Sequence, residues 1–461
     1  MDKLRACILL LQPKTMRDRV SFNHYILRKL ATKAKVSAVL DEIVTEDCNP
    51  KRHPGILKMK PVQLPNSIVN AIVSVLKDQP IKALLTDALA LRKYLYTRKP
   101  PVESMELKAR QLEYAQEIES EDKIDVTSLT EEEQERLMQV RGTKLKNLLA
   151  QRMYVWKNID YDDYMSKKYL IARSAANYAV LMKVFNELKV KDPSFCPKTL
   201  LDFGSGVGTV TWATRSSWNT VKEYFCVDKS SHMNDLADLI LRGGDINNEL
   251  PSAGFFFRQF LPTSQTLKYD LVVSAFSLLD LPTSNNRLQT VMNLWNKTSG
   301  YMVLIEDGTM AGSRVINEAR DFLLEFGNSS KNIANVALHI VAPCPHDLPC
   351  PKVKTKKPCT FPVQFLTLPI GQGEENKATL FSYLVIKKGI RPEDDLQWPR
   401  LVQPVLVRSK HTICRACCSN GQLQEIIFTS SKHGKFMYHC ARSSKWGDLL
   451  PVKVSVNESE E

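Results

Sequence analysis

Residues 200–218 read LLDFGSGVGTVTWATRSSW and decide how the central part of this 461-residue chain folds. A short apolar run contains an acid, three glycines alternate with other residues, and helix-forming residues follow. In an open parallel sheet, the turn between the first strand and its helix is where the backbone approaches a bound ligand. Glycine accepts the positive φ angles and the close approach that such a turn requires. We therefore expect Gly204, Gly206 and Gly208 to form a ligand-binding turn.

Two acids near this turn indicate which nucleotide it binds. The spacing is G-x-G-x-G, with Thr209 where a dinucleotide fingerprint has its third glycine, and the Gly-Lys-Ser/Thr of a P-loop is missing. Asp202 directly before the glycines would repel a diphosphate, whereas it suits a ligand with an ammonium group. Asp228 ends the next strand, where a carboxylate can accept both ribose hydroxyls. S-adenosylmethionine (SAM) fits both acids, and the arrangement resembles the class I methyltransferase motif.

Beyond residue 160, apolar segments of helix and strand length alternate along the chain. Residues 164–189 have helical spacing, and the runs KTLLDFG, EYFCVD, YDLVVSAFSLLDL and GYMVLIEDG read as buried strands. This alternation predicts an α/β fold, a doubly wound parallel sheet of the class I SAM-methyltransferase (Rossmann-like) type. The expected parts are a possible targeting segment at 1–20, a helical N-terminal region at 21–160, a methyltransferase-like domain at 161–390 with a cysteine-containing insert at 341–362, and a β-rich extension at 391–461.

The loop after the fourth strand run carries no recognisable catalytic set. It has neither an Asn/Asp-Pro-Pro-aromatic group that would orient an amine nor a Pro-Cys nucleophile. Ser277 and Asp280 lie near the expected entrance for the substrate. Arg258 and Gln259 lie at a strand end where an acidic residue often contacts the adenine of the cofactor. The sequence therefore predicts cofactor binding and no catalytic residue.

Seven of the eleven cysteines lie between Cys344 and Cys440. The segment CPHDLPCPKVKTKKPC spaces three of them as C-x5-C-x8-C, and its prolines oppose helix formation and hold the loop open. Three thiols of this insert and one of the extension could form a four-thiolate site that joins the two parts. The Cys-Pro pairs favour an iron-sulfur cluster, CRAC is half of a zinc knuckle, and unligated buried thiols are the third alternative.

The charge of the chain favours a polyanionic partner. A formal net charge of +13 attracts nucleic acid, because each neutralised phosphate releases a counterion. The first residues are basic and poor in acids, as mitochondrial presequences are. No apolar stretch has the length of a membrane-spanning helix, so we expect no membrane insertion. Four lysines of the cysteine insert could contact phosphates: Lys352, Lys354, Lys356 and Lys357.

Four separated motifs carry a resemblance to a known family. They are HPGIL near residue 53, DFGSGVGTVTWAT, CPHDLPCP and HGKFMYHCARSSKWGDLLPV. In this order they resemble the assembly factors of the mitochondrial small ribosomal subunit that have a methyltransferase fold. The resemblance implies a monomer in the mitochondrial matrix that binds rRNA between head and body of the maturing subunit, together with ribosomal proteins. It also implies a requirement in mitochondrial translation.

The resemblance further implies two cofactors. SAM is bound without methyl transfer, and the alternative is an active SAM-dependent rRNA methyltransferase. A [4Fe-4S] cluster is held by Cys344, Cys350 and Cys359. The family's tail motif, a histidine followed six residues later by a cysteine, matches His411 and Cys417 and makes Cys417 the fourth ligand. The alternatives for the fourth ligand are Cys414, Cys418 and Cys440.

Overall fold

The computed structural model describes residues 35–42, 48–122, 124, 129–152, 158–264, 266–329, 337–355, 357–371 and 373–457. The expected targeting segment 1–20 and Lys356 lie outside these residues. The strands in chain order are β1 Lys35–Leu40, β2 Thr199–Phe203, β3 Glu223–Val227, β4 Phe255–Arg258, β5 Tyr269–Ala275, β6 Thr298–Asp307, β7 Leu338–Ala342, β8 Phe361–Leu366, β9 Asn376–Lys388, β10 Arg400–Leu401, β11 Leu406–Val407, β12 His411–Cys417, β13 Leu423–Thr429 and β14 Val452–Asn457. The helices are α1 Asn66–Leu76, α2 Ile81–Thr97, α3 Ser104–Asp122, α4 Glu131–Arg152, α5 Asp163–Lys191, α6 Thr209–Ser217, α7 Ser231–Leu241, α8 Ser284–Lys297, α9 Met310–Ser329, α10 Ser430–His433 and α11 Lys435–Ser443.

The central sheet has the strand order β4-β3-β2-β5-β6-β9-β7, and β8 pairs with β9. Strands β2 to β6 are parallel, whereas β9 runs antiparallel to β6, β7 and β8. The doubly wound sheet expected from the sequence is confirmed, with an antiparallel strand inserted near one edge. The strand order reverses between β2 and β5, so ligands are expected beyond the carboxyl ends of these strands.

Burial explains why these segments form strands. Leu200 and Leu201 of β2 face opposite sides of the sheet and belong to two different core clusters, as a strand covered by helices on both faces requires. Helix α5 begins after Asp162, whose carboxylate accepts the backbone N–H of Met165 at 2.7 Å. Its residues then pack on the same cluster as Leu200. The sheet and α5 thus position the carboxyl end of β2, where the glycine turn begins.

The N-terminal region is mainly helical, as expected, with one exception. Helices α1 and α2 pack on α7 and α5, and α3 packs on α4. The backbone N–H of Thr130 donates to the Glu133 carboxylate at 3.0 Å, and the backbone N–H of Glu133 donates to the Thr130 hydroxyl at 3.4 Å, so the two residues form a capping box at the start of α4. Strand β1 is the exception, because it pairs antiparallel with β14 of the extension. Its run KVSAVL suits a strand, but the partner lies over 400 residues away along the chain.

The extension forms a second, smaller sheet from β10 to β13, with α10 and α11 packed on it. The cysteine insert lies between β7 and β8 and faces this small sheet. In the part of the chain that the structure describes, no helix is both long and apolar enough to cross a membrane.

Candidate cofactor turn and thiol site

The three glycines of the turn all have positive φ angles. These are +71° at Gly204, +51° at Gly206 and +88° at Gly208. The backbone N–H of Gly204 donates to the carbonyl of Val227 at 2.8 Å, which ties the turn to the end of β3. A Cβ added at Gly204 would lie 2.4 Å from the Cβ of Ser277. Glycine is therefore required at this position by both the backbone angle and the neighbouring strand end.

Asp202 and Asp228 lie on either side of this turn. The Asp202 side chain is completely buried, and neither carboxylate oxygen has a hydrogen-bond partner. Burial raises the pKa of Asp202 well above its usual value, and the nearby Asp228 adds to the rise. Asp228 accepts the backbone N–H groups of Gly206 and Ser230, both at 2.9 Å. The structure thus brings together all five residues predicted for the cofactor, and one of them, Asp202, has a carboxyl group without hydrogen-bond partners.

Two tyrosines that the sequence analysis missed cover the turn. A Cβ on Gly206 would meet the ring of Tyr169 at 3.8 Å, and the rings of Tyr161 and Tyr169 pack edge to face with centroids 5.6 Å apart. The carbonyl of Tyr161 accepts the hydroxyl of Ser230 at 2.6 Å. In the sequence, Tyr169 was marked only by the helical spacing of residues 164–189, which does not show which face of the helix contacts the turn, and Tyr161 lies before these residues.

The expected substrate mouth contains an ion pair. Asp280 accepts the guanidinium of Arg98, which arrives from the end of α2 and is almost completely buried. Burial raises the pKa of Asp280, and Arg98 opposes the rise. Ser277 donates to the carbonyl of Phe203 at 3.2 Å. Both residues near the mouth therefore have structural partners.

A buried glutamate lies behind this mouth. Glu306 accepts the backbone N–H groups of Leu278 and Leu279 at 2.8 and 3.2 Å, while its second oxygen has no partner. Burial raises the pKa of Glu306 to about 8, and Asp307 adds to the rise. Glu306 is therefore largely protonated at neutral pH, and its second oxygen can donate a hydrogen bond.

Arg258 and Gln259, which the sequence places near adenine, follow β4 at the surface. Both are exposed, and the Gln259 amide donates to the carbonyl of Lys229 at 3.4 Å. The backbone carbonyl of Arg258 accepts the N–H of Asp228 at 3.0 Å. The end of β4 is thus adjacent to the turn, as the sequence predicts.

Four cysteines from two distant segments meet beside the insert. Cys344, Cys350 and Cys359 belong to the insert, and Cys417 ends β12 of the extension. Burial raises the pKa of the Cys417 thiol, and the proximity of Cys344, Cys359 and Cys350 raises it further. Burial likewise raises the pKa of Cys359, with Cys344 and Cys350 adding to the rise. These are the four residues proposed as cluster ligands.

The three alternative thiols lie on other sides of the extension. Cys414 and Cys418 belong to its hydrophobic core, together with Ala416. Because side chains alternate along a strand, Cys417 points the opposite way, toward the insert. Cys440 lies on α11, where burial and the nearby Cys48 raise its pKa to about 12. The period of two in CRACC was a signal in the sequence that could have separated Cys417 from its neighbours.

The donor set of the thiol site consists of sulfur atoms. Within the described ranges, no three His, Cys, Asp or Glu side chains converge enough to hold one metal ion. The four-sulfur donor set is the one that [4Fe-4S] clusters use.

Two side chains that the sequence analysis did not select, Arg400 and His346, lie beside the thiols. Arg400 donates to the carbonyl of Pro343 at 3.0 Å and to that of Gly447 at 2.7 Å, and it pairs with Glu187 of α5. It thus connects the insert, the extension and the main domain. The ring of His346 lies 3.3 Å from the Cys417 sulfur, and its other nitrogen donates to the carbonyl of Leu348.

The insert lysines do not form one surface, contrary to the expectation that they could all face phosphates. Lys354 and Lys357 are exposed, whereas Lys352 is 6% exposed. Lys352 lies in a 3₁₀ turn at Pro351–Lys354 and lines the clefts beside the thiols. Only the exposed lysines are placed to meet a polyanion.

A cavity of about 760 Å³ opens beside the thiols and away from the glycine turn. Its wall includes Cys344, Cys350 and Cys359, the start of α9, and residues 99–103 between α2 and α3. Three of the four thiols therefore face a space that is open to solvent.

Comparisons with known proteins agree with the motifs. The protein of Homo sapiens named "Ribosome assembly protein METTL17, mitochondrial" is 39% identical over 405 residues, which cover 87% of this chain and 86% of that protein. "Ribosome assembly protein RSM22, mitochondrial" of Saccharomyces cerevisiae is 24% identical over 289 residues, 42% of this chain and 45% of that protein. The solved magnesium protoporphyrin IX methyltransferase of Synechocystis is 12% identical and covers 54% of this chain and 100% of its own, with a TM-score of 0.30, too low to support a conclusion.

A family model extends over the main domain and the extension together. The model described as "Mitochondrial small ribosomal subunit Rsm22" matches residues 163–451, from the first residue of α5 to Pro451, directly before β14 of the extension. This range includes the glycine turn and all four cysteines of the thiol site. The chain therefore belongs to the Rsm22 family.

Proposed function

We propose that this protein is an assembly factor of the mitochondrial small ribosomal subunit. It acts as a monomer in the mitochondrial matrix, binds the rRNA between head and body together with ribosomal proteins, and is required for mitochondrial translation. The relatives named above support the ribosomal role, and the net charge of +13 supports an rRNA partner. Part of that charge is presented by exposed lysines such as Lys354 and Lys357.

One observation carries the proposal: the four thiols of the insert and the extension meet at the junction of the two parts. Cys344, Cys350, Cys359 and Cys417 would hold a [4Fe-4S] cluster. Bound there, the cluster supplies iron–thiolate bonds that join the extension to the main domain. The chain's own contribution is to orient the thiols, through the prolines of the insert, the strand β12 and the Arg400 contacts to both segments.

The unpartnered carboxylate of Asp202 supports SAM as the second ligand. A completely buried acid with no hydrogen bond is costly unless a cation or donor occupies the adjacent space. SAM brings an ammonium group and a sulfonium group to this end of the sheet. Each Asp228 oxygen accepts one N–H group and keeps a free lone pair for a ribose hydroxyl.

We further propose that the bound SAM is not used for methyl transfer. Arg98 and Asp280 form an ion pair where a methyl acceptor would enter, so the acid at that mouth already has a cationic partner. The rival function is an active rRNA methyltransferase. It predicts that Asp202→Ala with Asp228→Ala removes a specific methyl mark from the small-subunit rRNA, which can be counted by mass spectrometry of the digested rRNA. An unchanged set of marks supports the scaffold function.

The assembly role is tested in cells depleted of the protein and complemented with variants. Sedimentation of mitochondrial small subunits and ultraviolet crosslinking of the protein to rRNA are the measurements. We expect the wild type and Cys418→Ser to restore small subunits and Cys350→Ser to fail. Full restoration by Cys350→Ser would contradict the role of the thiol site. A wild-type protein that crosslinks to no small-subunit rRNA would contradict the rRNA partner.

A further inference from the structure

Helix α11 of the extension presents a basic side to solvent. Lys435, His439 and Arg442 follow one another at spacings of four and three residues, so they share one side of the helix. Lys435 and His439 are exposed, and Arg442 is half-buried. The opposite side of α11 packs in the core of the extension through Met437, Tyr438 and Ala441. The basic side is therefore the outer side of this helix.

Two neighbouring segments add cations at the same end of the small sheet. His411 at the start of β12 pairs with Thr429 at the end of β13, so the turn before β12 and the helix α10 after β13 lie side by side. The carbonyl of Arg408 in that turn accepts the guanidinium of Arg442 at 2.8 Å. The three segments together form a surface, called here the α11 face, that consists of Arg408, Lys410, Lys432, Lys435, His439 and Arg442.

The cations of the α11 face have no carboxylate partners among the residues that the structure describes. In the described part of the extension, ion pairs are formed by other cations, namely Arg391, Arg400, Arg415 and Lys453. Between residues 400 and 457 the acids are Glu425, which pairs with Arg415 at 2.7 Å, and Asp448, which is buried. The α11 face therefore presents positive charge that the described fold does not neutralise.

The chemistry of the α11 face fits a chain of phosphates. A polyanion neutralises neighbouring cations and gains free energy from the counterions that it releases. A protein partner requires apolar contacts instead, because the cores of protein interfaces are enriched in aromatic residues and depleted of lysine. Among the described residues, no large exposed apolar side chain lies on α10 or α11. The face is thus suited to nucleic acid more than to an acidic protein.

We propose that the α11 face binds the phosphate backbone of the small-subunit rRNA. This assignment rests on the rRNA partner proposed above and gives that partner a surface on the extension, in addition to Lys354 and Lys357 of the insert. Arg442 is oriented for the contact, since its guanidinium donates to the Tyr438 hydroxyl at 2.9 Å and lies over the ring of that tyrosine. Phosphate contacts of this kind position a protein on nucleic acid without reading its sequence.

The test compares two variants of the full-length protein that lose the same charge. The face variant carries Lys410→Gln, Lys432→Gln and Lys435→Gln. The control variant carries Lys77→Gln, Lys82→Gln and Lys93→Gln, three exposed lysines at the end of α1 and on α2. Binding of each protein to a transcript of the mitochondrial small-subunit rRNA is measured at several KCl concentrations between about 50 and 200 mM.

We expect the face variant to bind the transcript about tenfold more weakly and to have a flatter dependence of log affinity on log salt concentration. The slope should fall in magnitude by about 2 to 3, because each lost phosphate contact removes about 0.7 to 0.9. The control variant should keep the wild-type slope. Replacement of the same three face lysines by Arg should also keep it, because the charges remain.

The outcomes separate the α11 face from the rRNA partner. A wild-type protein that does not bind the transcript contradicts the partner itself. A wild type that binds, with equal slopes and affinities for the face and control variants, contradicts only the face. Loss of a crosslinked ribosomal protein from the face variant with unchanged rRNA binding also overturns the face and identifies a protein partner. If the face variant does not fold, Lys435→Gln alone should lower the slope by about 1, and an unchanged slope then overturns the inference.

Discussion

The glycine turn takes its five predicted residues from positions 202–228, whereas the thiol site takes its four from positions 344–417. The turn is shaped by its own backbone: positive φ angles at three glycines and hydrogen bonds to the end of β3. The thiol site exists only because the extension folds against the insert. A local site can be predicted with its ligand class, while a site shared by two segments requires knowledge of how they pack.

The two sites are built from different kinds of segment, but both have contacts with other parts of the chain. Each has contacts from outside its own segment: the carbonyl of Tyr161 accepts the Ser230 hydroxyl beside the turn, and Arg400 of the extension donates to the carbonyl of Pro343 in the insert. These contacts make both sites depend on the whole fold. We therefore expect the fold of the turn to tolerate substitution of its acidic side chains better than substitution of its glycines. At the thiol site, we expect substitution of the side chains to have the larger effect.

The largest expected effect is at the fourth thiol. Cys417→Ser should lose essentially all iron, because its sulfur faces Cys344, Cys350 and Cys359. Cys418→Ser is the matched control, since its side chain lies in the core of the extension and points the other way. Iron per protein and visible absorbance after anaerobic purification are the measurements. Iron loss in Cys418→Ser with retention in Cys417→Ser would reassign the ligand.

The fold could be predicted further than the sites. Strands β2, β3 and β6 were predicted closely, because each is a short apolar run between turn residues, whereas the run predicted for β5 extended to Leu281 although the strand ends at Ala275. Strand β1 was not, since its six residues carry no sign of a partner near the C-terminus. Among site residues, Asp202 and Asp228 follow from strand ends. Lys352 could not be distinguished from its exposed neighbours, because a run of lysines has no periodicity before the turn is known.

A smaller but substantial effect is expected at the first glycine. Gly204→Ala should lower the free energy of unfolding by about 3 kcal/mol, because alanine is strained at a φ of +71° and its Cβ would lie 2.4 Å from that of Ser277. Gly142→Ala is the control: this glycine lies within α4 with no atom within 4 Å of an added Cβ. It should gain up to about 1 kcal/mol. Urea unfolding followed by circular dichroism measures both, and equal stabilities would show that the turn is not rigid.

The buried Glu306 predicts how stability changes with pH. Its pKa is about 8 in the folded protein and near 4.5 when unfolded, so the folded state holds the proton over the range between them. Stability should therefore fall as pH rises from about 5 to 8, because the unfolded state releases this proton first. Glu306→Gln should remove this contribution and gain on the order of 2 kcal/mol at pH 8, after the cost of its buried amide.

Several charged groups face Glu306 and must be kept constant in that comparison. Asp307 and Asp280 raise its pKa, while Arg98 lowers it. Unfolding of wild type and Glu306→Gln at pH 5, 6, 7 and 8 gives the difference that belongs to this residue. Parallel pH profiles of the two proteins would contradict a proton held by Glu306.

The smallest effect on stability is expected for substitution of Asp202, although we expect this substitution to abolish the binding of SAM. Its raised pKa means that the unliganded protein gains little from the charge, so Asp202→Asn should change the free energy of unfolding by less than about 1 kcal/mol. The ammonium group of SAM should no longer find its anion, so the stabilisation that added SAM gives the wild type should vanish. Thermal unfolding with and without SAM measures this, with S-adenosylhomocysteine as a ligand that keeps the ammonium group and lacks the sulfonium. Equal stabilisation of Asp202→Asn and wild type by SAM would show that the ammonium group binds elsewhere. Ligand binding at the turn would then depend on its backbone and not on the Asp202 side chain, in contrast to the thiol site, where the side chains are the ligands.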